Sequence, residues 1–457
     1  MLRPLACLAL LACGGSPAPM KTPTPTTTTT TDTPAPANPA EKPTPEAEAR
    51  DVAAKLGKGE FDAIEARFAA PVAQALPHGK LAEVWGALLA KTGPLSACEQ
   101  AEVKTLTQGT VVTLSCKFEK VTLPLVIGID PDAKIAGLRV LPPAEPKARW
   151  EPPPYAAKDA VTRDVTVGDL PGTLTLPAGK GPWPAIVLVH GSGPQDRDET
   201  IGPNKVFGDL ALGLAAHGIA TLRYDKRTKA KPETLPKDLT VDDEVVKDAA
   251  AAVDLLAHTP EIASKRIYVL GHSLGGYLAP RIAKTTKGVA GLVIMAGPTR
   301  PIEQLFVEQL EYLANIDGQV TKDEQAGIDE AKTAAARIVE LQKGAQGNPG
   351  ELLLYAPPAY WKDLAGYDPA ATAAALALPI LVLQGERDYQ VTKADFAGWQ
   401  KALGKKKTAK LTLYPKLFHL FIAGDGPSTP AEYTKPGHVD EQVIRDIAAW
   451  ISARPAR

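Results

Sequence analysis

The sequence predicts an α/β protein: a doubly wound, mostly parallel sheet carrying a helical insertion, preceded by a smaller α+β domain. Three observations lead there. From about residue 157, strand-like apolar runs alternate with helical stretches, which implies right-handed crossovers within one sheet. Pro184–His190 (PAIVLVH) is a continuous apolar run, as expected of a strand buried on both faces of a parallel sheet. The proline-rich stretch Pro142–Pro154 separates this region from a shorter one with a different rhythm.

The amino terminus reads as an export signal over residues 1–12, with Arg3 ahead of an apolar run too short to span a bilayer. Leu10-Leu11-Ala12-Cys13 resembles a bacterial lipobox, which implies acylation of Cys13; Cys7 has too little apolar chain before it. The alternative is a cleaved signal with an incidental cysteine. Residues 13–46 read as a tether. Nine of residues 22–33 are threonine and two are proline, a composition with no apolar surface to offset its ordering entropy. Extended, this tether reaches on the order of 100 Å. The expected location is therefore outside the cytoplasm, lipid-anchored at the cell envelope or secreted.

Residues 47–142 read as the small domain. Helices are expected at Glu48–Leu56, Phe61–Ala70 and Gly79–Lys91, then strands at Glu102–Thr107, Thr110–Phe118, Val121–Asp130 and Ile135–Leu141. Cys98 and Cys116 form an even pair in an oxidising compartment and read as a disulfide. If Gln108-Gly109 were a two-residue hairpin turn, however, Cys116 would face Ala101, so the chain before residue 100 must curl back; two buried thiols are the alternative.

After a linker over 143–156, the larger domain runs from 157 to 457. A hairpin (Val161–Val167, Gly172–Leu176) precedes strands at Pro184–His190, Ile219–Tyr224, Arg266–Leu270, Gly288–Met295, Leu378–Leu383 and Ala409–Tyr414. Helices are expected at Val206–His217, Asp243–His258 and His438–Ala453. An insertion at about 298–376 is almost wholly helical; Thr321-Lys-Asp-Glu324 reads as a capping box, and Ile328, Ala331, Ala335 and Ile338 share a face. Its place between two strands suits a lid.

Gly271-His272-Ser273-Leu274-Gly275 follows a strand and precedes a helix, the setting of a nucleophile elbow. Flanking glycines allow the tight turn, and the helix amino terminus offers N–H groups to an oxyanion. The base and its orienter should follow in the order acid, then histidine. Asp388 lies just past one strand end and His419 just past another; Glu386 is the alternative acid and His438 the other late histidine. The loop His190-Gly191-Ser192-Gly193-Pro194 should supply the second oxyanion donor, read as the N–H of Ser192 beside that of Leu274, with Gly193 as the alternative. His190 and His272 read as structural. No metal-ligand spacing occurs, so no metal or cofactor is expected. Lysine plus arginine (51) balances aspartate plus glutamate (52), which gives no electrostatic reason for a nucleic-acid partner.

Four further stretches carry a family resemblance: His190-Gly-Ser-Gly-Pro-Gln-Asp-Arg-Asp198, Arg223-Tyr-Asp-Lys-Arg227, Gln384-Gly-Glu-Arg-Asp-Tyr-Gln-Val391 and Tyr360-Trp361 with Tyr367-Asp368. With the elbow, they make residues 160–455 resemble bacterial carboxylesterases of the α/β-hydrolase superfamily, in a subgroup related to dienelactone hydrolases. The resemblance implies hydrolysis of short-chain carboxylic esters, a small-molecule substrate and no protein partner. Gln195–Asp198 reads either as a polar wall of the pocket or as a structural network. The small domain's helices and meander resemble NTF2-like domains. The rival readings are a serine peptidase, an acyltransferase and a non-catalytic binding lipoprotein.

Overall fold

The structure, a computed structural model, describes residues 44–106, 109–142, 150–348 and 350–454, which divide into two compact units. The signal, Cys13 and residues 13–43 of the expected tether lie outside the described residues, as does the first half of the expected linker, 143–149. No helix among the described residues is long and apolar enough to cross a membrane.

The smaller unit packs helices on one antiparallel sheet. Thr44 caps the helix Pro45–Lys58, and Gly59 ends it in the left-handed conformation. Ala49, Val52, Ala53 and Leu56 form its buried face. The helix expected over Phe61–Ala70 is broken: Phe61–Glu65 and Ala70–Ala75 are separate turns, with Phe68 bridging to Ile135 between them. Pro71 starts the second turn, where its missing N–H costs nothing. Lys80–Thr92 follows. The sheet runs in the order β1 (Leu95–Leu106), β2 (Gly109–Phe118), β3 (Thr122–Ile129), β4 (Ile135–Val140).

Strand β1 starts well before the expected Glu102, and its register decides the cysteine question. Leu106 pairs with Gly109, not Thr107 with Thr110, and a one-residue bulge separates the Glu99–Ser115 pair from Ala101–Leu114. The two shifts together bring Cys98 opposite Cys116, and their sulfurs are joined.

In the larger unit, eight strands form one sheet. They are β5 (Val161–Val167), β6 (Leu170–Leu176), β7 (Trp183–Val189), β10 (Ala220–Tyr224), β11 (Ile262–His272), β12 (Val289–Met295), β13 (Ile380–Gly385) and β14 (Ala409–Tyr414). A two-residue ribbon, β8 (Thr200–Ile201) with β9 (Asn204–Lys205), stands apart from it. The order is β14-β13-β12-β11-β7-β10-β6-β5, parallel from β14 to β10 and antiparallel at β6 and β5. Alternate residues of the central strands feed two cores. Ala185, Val187, Val189, Ile267 and Val269 pack on one face of the sheet, and Ile186, Leu188, Tyr268 and Leu270 on the other. That two-sided burial is why β7 reads as an unbroken apolar run.

The expected linker ends early. Trp150 donates to Asp209, and Tyr155 donates to the Val439 carbonyl and lies against Gly213, so residues 150–156 already belong to the larger unit. The insertion after β12 holds the helices Ile302–Ala314, Lys322–Gln342, Pro358–Asp363 and Pro369–Ala375; Thr321 and Glu324 form a reciprocal capping box. The last helix starts at Glu441 rather than His438, because Asp440 is its cap.

Candidate active site

Four parallel strands deliver the candidate residues to one edge of the sheet. Ser192 follows β7, Ser273 follows β11, Asp388 follows β13 and His419 follows β14, each beyond a carboxyl end.

Ser273 has φ 53° and ψ −116°, a conformation serine rarely adopts. It persists because both sides of the turn are fixed: Ser273 N–H donates to Met295 O at 2.9 Å, and Ser273 O accepts from Tyr277 at 2.9 Å. A Cβ on Gly271 would overlap the Gly275 carbonyl, and one on Gly275 would overlap that of Val189. Only glycine fits at either place. The Leu274 N–H opens the following helix.

Asp388 is held by every lone pair it has to spare. One oxygen accepts from Gln390 N–H (2.8 Å) and Val391 N–H (3.0 Å); the other accepts from Gln384 Nε2 (3.2 Å) and faces His419 Nδ1 at 2.7 Å. Both side chains are buried. With Nδ1 committed to Asp388, Nε2 is the ring nitrogen left for chemistry. The alternative acid, Glu386, pairs with Lys393 at 2.7 Å instead. His438 contacts Asp209 at 3.2 Å, and Asp209 also accepts from Val439 and Trp150. These are structural positions.

His272 supports His419. Its Nε2 donates to the His419 carbonyl at 2.9 Å, and the two rings lie 4.8 Å apart. Its Nδ1 is 2.9 Å from Glu199, bent away from a linear hydrogen bond, and both groups are fully buried. Burial opposes charge on His272, but the Glu199 carboxylate outweighs it and raises the pKa. Burial likewise opposes charge on Glu199, yet His272 and the Gly191 N–H, at 2.7 Å, hold its pKa below the usual carboxylate value.

The loop after β7 is anchored from below. Gly191 approaches Ser273 so closely that a Cβ on it would lie 3.2 Å from the Ser273 Cβ. Lys226 Nζ donates to the Gly191 carbonyl at 2.9 Å and pairs with Glu244 at 2.6 Å, both groups buried. That carbonyl belongs to the same peptide unit as the Ser192 N–H, so Lys226 fixes the direction of the expected oxyanion donor. Gln195 Nε2 donates to Ser192 O at 3.2 Å. Arg197 pairs with Asp225, and Asp198 with Arg223 and Lys205. The run Gln195–Asp198 is therefore a structural network and not a pocket wall.

Sequence reasoning missed Glu199, Lys226 and Glu244. Glu244 sits on a π turn over Asp242–Val246, an irregularity with no periodic signature. All three stand among other charged residues, Asp196–Glu199, Asp225–Arg227 and Asp242–Glu244, so nothing in the sequence singles them out.

A cavity of about 350 Å³ opens over Ser273. Ser192, Gly193, Glu244, Ser273 and Leu274 are among its lining residues, and Ile302, Leu305, Phe306, Leu354 and Trp361 from the insertion form much of the rest. Among the described residues, Asp62, Glu65 and His78 could group around a cation by distance. They belong to the smaller unit, where Glu65 already accepts from Gly79 and Leu81.

Known proteins resemble this chain over most of its length. Residues 184–425 match the model of a family described as serine aminopeptidase, S33. Esterase EstD of Thermotoga maritima is 40% identical over 372 residues, 81% of this chain and 86% of that protein. The chain belongs to the α/β-hydrolase serine esterases. Residues 49–138 match a family described as protein of unknown function (DUF3887). Among solved structures, an esterase of Pyrobaculum calidifontis aligns with TM-score 0.42 and 18% identity, covering 65% of this chain and 87% of that one. An esterase/lipase from an uncultured bacterium aligns with TM-score 0.41 and 16% identity, covering 68% and 93%. The assignment rests on EstD and the family model, not on these distant structures.

Proposed function

We propose that the chain hydrolyses short-chain carboxylic esters through an acyl-enzyme on Ser273. The observation that carries this reading is the 2.7 Å contact of Asp388 with His419 Nδ1, beside a serine held at φ 53° at the mouth of a cavity. His419 Nε2 takes the Ser273 hydroxyl proton as the oxygen attacks the ester carbonyl. The N–H groups of Leu274 and Ser192 hold the resulting oxyanion. The tetrahedral intermediate collapses, and the alcohol leaves with the proton from His419. Water then gives a proton to His419 and attacks the acyl-enzyme, and the carboxylic acid departs as Ser273 is reprotonated. The cavity's volume and apolar wall suit a short acyl group.

The test is kcat/KM on nitrophenyl acetate and butyrate for Ser273→Ala, His419→Ala and Asp388→Asn, with circular dichroism as the folding control. Each should lose several orders of magnitude, and a double mutant should be little worse than either single one. Full activity in Ser273→Ala would end the proposal. An aminoacyl nitroanilide in the same assay addresses the peptidase alternative raised by the family description.

Cys13 would carry the lipid anchor and place the enzyme at the cell envelope; a mature amino terminus other than Cys13 would contradict this. The order of helices and a four-stranded meander supports the NTF2-like reading of the smaller unit.

A further inference from the structure

The cavity over Ser273 does not end at its apolar wall. A second cavity of about 820 Å³ lies within the helical insertion, and Phe306, Leu354 and Tyr355 line both. Its surface is mainly apolar, with Leu310, Ile328 and Ala331 among its residues. Its charged lining residues are Glu324, Glu330 and Arg337; Glu324 accepts from Thr321 in the capping box, and Arg337 is engaged by Glu351 and the Gln346 carbonyl. Three side chains thus form a partition, the rings of Phe306 and Tyr355 standing 6.5 Å apart.

That partition is built on unfavourable backbone. Leu353 and Ala356 exchange both hydrogen bonds, at 2.9 and 3.0 Å, so Leu354 and Tyr355 are the central pair of a tight two-residue turn. Their φ angles are 45° and 72°. Such a turn favours asparagine and glycine, because a side chain at positive φ crowds its own backbone. Here two large side chains occupy it, and both face the two cavities. Trp361 Nε1–H donates to Leu353 O at 3.0 Å and pins the base of the turn. The tip is not sealed: Tyr355 is 56% exposed. Strain of this kind persists where it serves a site or a movement.

We infer that the second cavity is a substrate subsite for an extended apolar arm of the ester, entered when the Leu354–Tyr355 turn yields. The inference rests on the esterase reading of Ser273 and extends it: the first chamber holds the short arm, and the insertion selects for what lies beyond. The acyl chain and the alcohol chain of an ester offer the same hydrocarbon, so the experiment separates them.

The experiment compares nitrophenyl esters from acetate to laurate with alkyl acetates from methyl to dodecyl, using the full chain. Wild type should gain in kcat/KM along one of the two series past the butyrate length, by up to about fourfold for each methylene buried. Gly327→Phe fills the second cavity. Gly327 lines that cavity but not the first, and a Cβ there meets nothing within 4 Å. It should lower kcat/KM for the longest ester roughly tenfold and leave acetate within about twofold. Ala334→Phe is the second filling variant, should the first fold poorly. Tyr355→Gly removes the partition ring and the strain at one of the two turn positions, and should raise the long-to-short ratio. A wild-type profile that falls beyond butyrate in both series would overturn the inference, as would filling variants that slow long and short esters alike. Loss of acetate hydrolysis in wild type would instead strike the esterase reading itself.

Discussion

Replacing Lys226 tests how the oxyanion loop is held. Lys226 and Glu244 form an ion pair with side chains 3% and 8% exposed, and the Lys226 ammonium also donates to Gly191. Two charges so far from water repay their desolvation only while paired. Glu244→Gln leaves the ammonium without a counter-charge and should cost about 3–5 kcal/mol of stability. Lys226→Met should cost a similar amount and free the Gly191–Ser192 peptide to rotate. Loss of one oxyanion donor costs about 10²–10³ in kcat, so a donor left misdirected should cost on the order of tenfold to a hundredfold. The double change Lys226→Met/Glu244→Leu removes both charges and should recover most of the stability but none of the lost kcat. Urea unfolding gives the first quantity and nitrophenyl butyrate turnover the second. A Lys226→Met enzyme with kcat within twofold of wild type would refute the positioning role, and a Glu244→Gln loss below about 1 kcal/mol would refute the buried-pair argument.

Three further outcomes follow from the same reasoning. Burial pushes the His190 pKa down to about 4, so the unfolded chain binds the proton first as pH falls; stability is fully present above about 6.5 and drains away towards pH 4, by about 2 kcal/mol between pH 7 and 4.5. His190→Asn should flatten that part of the profile of unfolding free energy against pH, and an unchanged slope would count against it. Deleting the chain through Lys147 should leave a folded, active enzyme, whereas deletion through Ala156 also removes Trp150 and Tyr155 and should lower its melting temperature; equal melting temperatures would contradict their place in the larger unit. Cys98 and Cys116 are 18 positions apart, so Cys98→Ala/Cys116→Ala should destabilise the smaller unit by about 3 kcal/mol in chemical denaturation, and an unchanged midpoint would contradict that.

The larger domain was legible because its central strands are buried on both faces and each key residue lies within a few positions past the end of one. Ser273, Asp388 and His419 could be placed by counting from strand ends, and Asp388 does meet His419. What sequence could not supply was contact across the fold. Glu199, on a turn after β7, meets His272 at the end of β11, and Lys226 meets the carbonyl of Gly191; neither pairing has a spacing to read. The bulge in β1 was equally hidden, since no residue type marks it, and it alone moves Cys116 from Glu99 to Cys98. Proline misled in two opposite ways. Pro71 opens a second short helix, Ala70–Ala75, just where the expected one was to end, and the proline-rich stretch up to Pro154 hid two aromatic residues packed on the larger unit.

The central claim is that Ser273 is the nucleophile. Its most direct measurement is labelling of the full chain with a fluorophosphonate, followed by peptide mapping. One adduct is expected, on Ser273, formed in step with the loss of esterase activity, absent from Ser273→Ala and much slower in His419→Ala. An adduct on another residue, or ester hydrolysis that survives complete labelling of Ser273, would contradict the account.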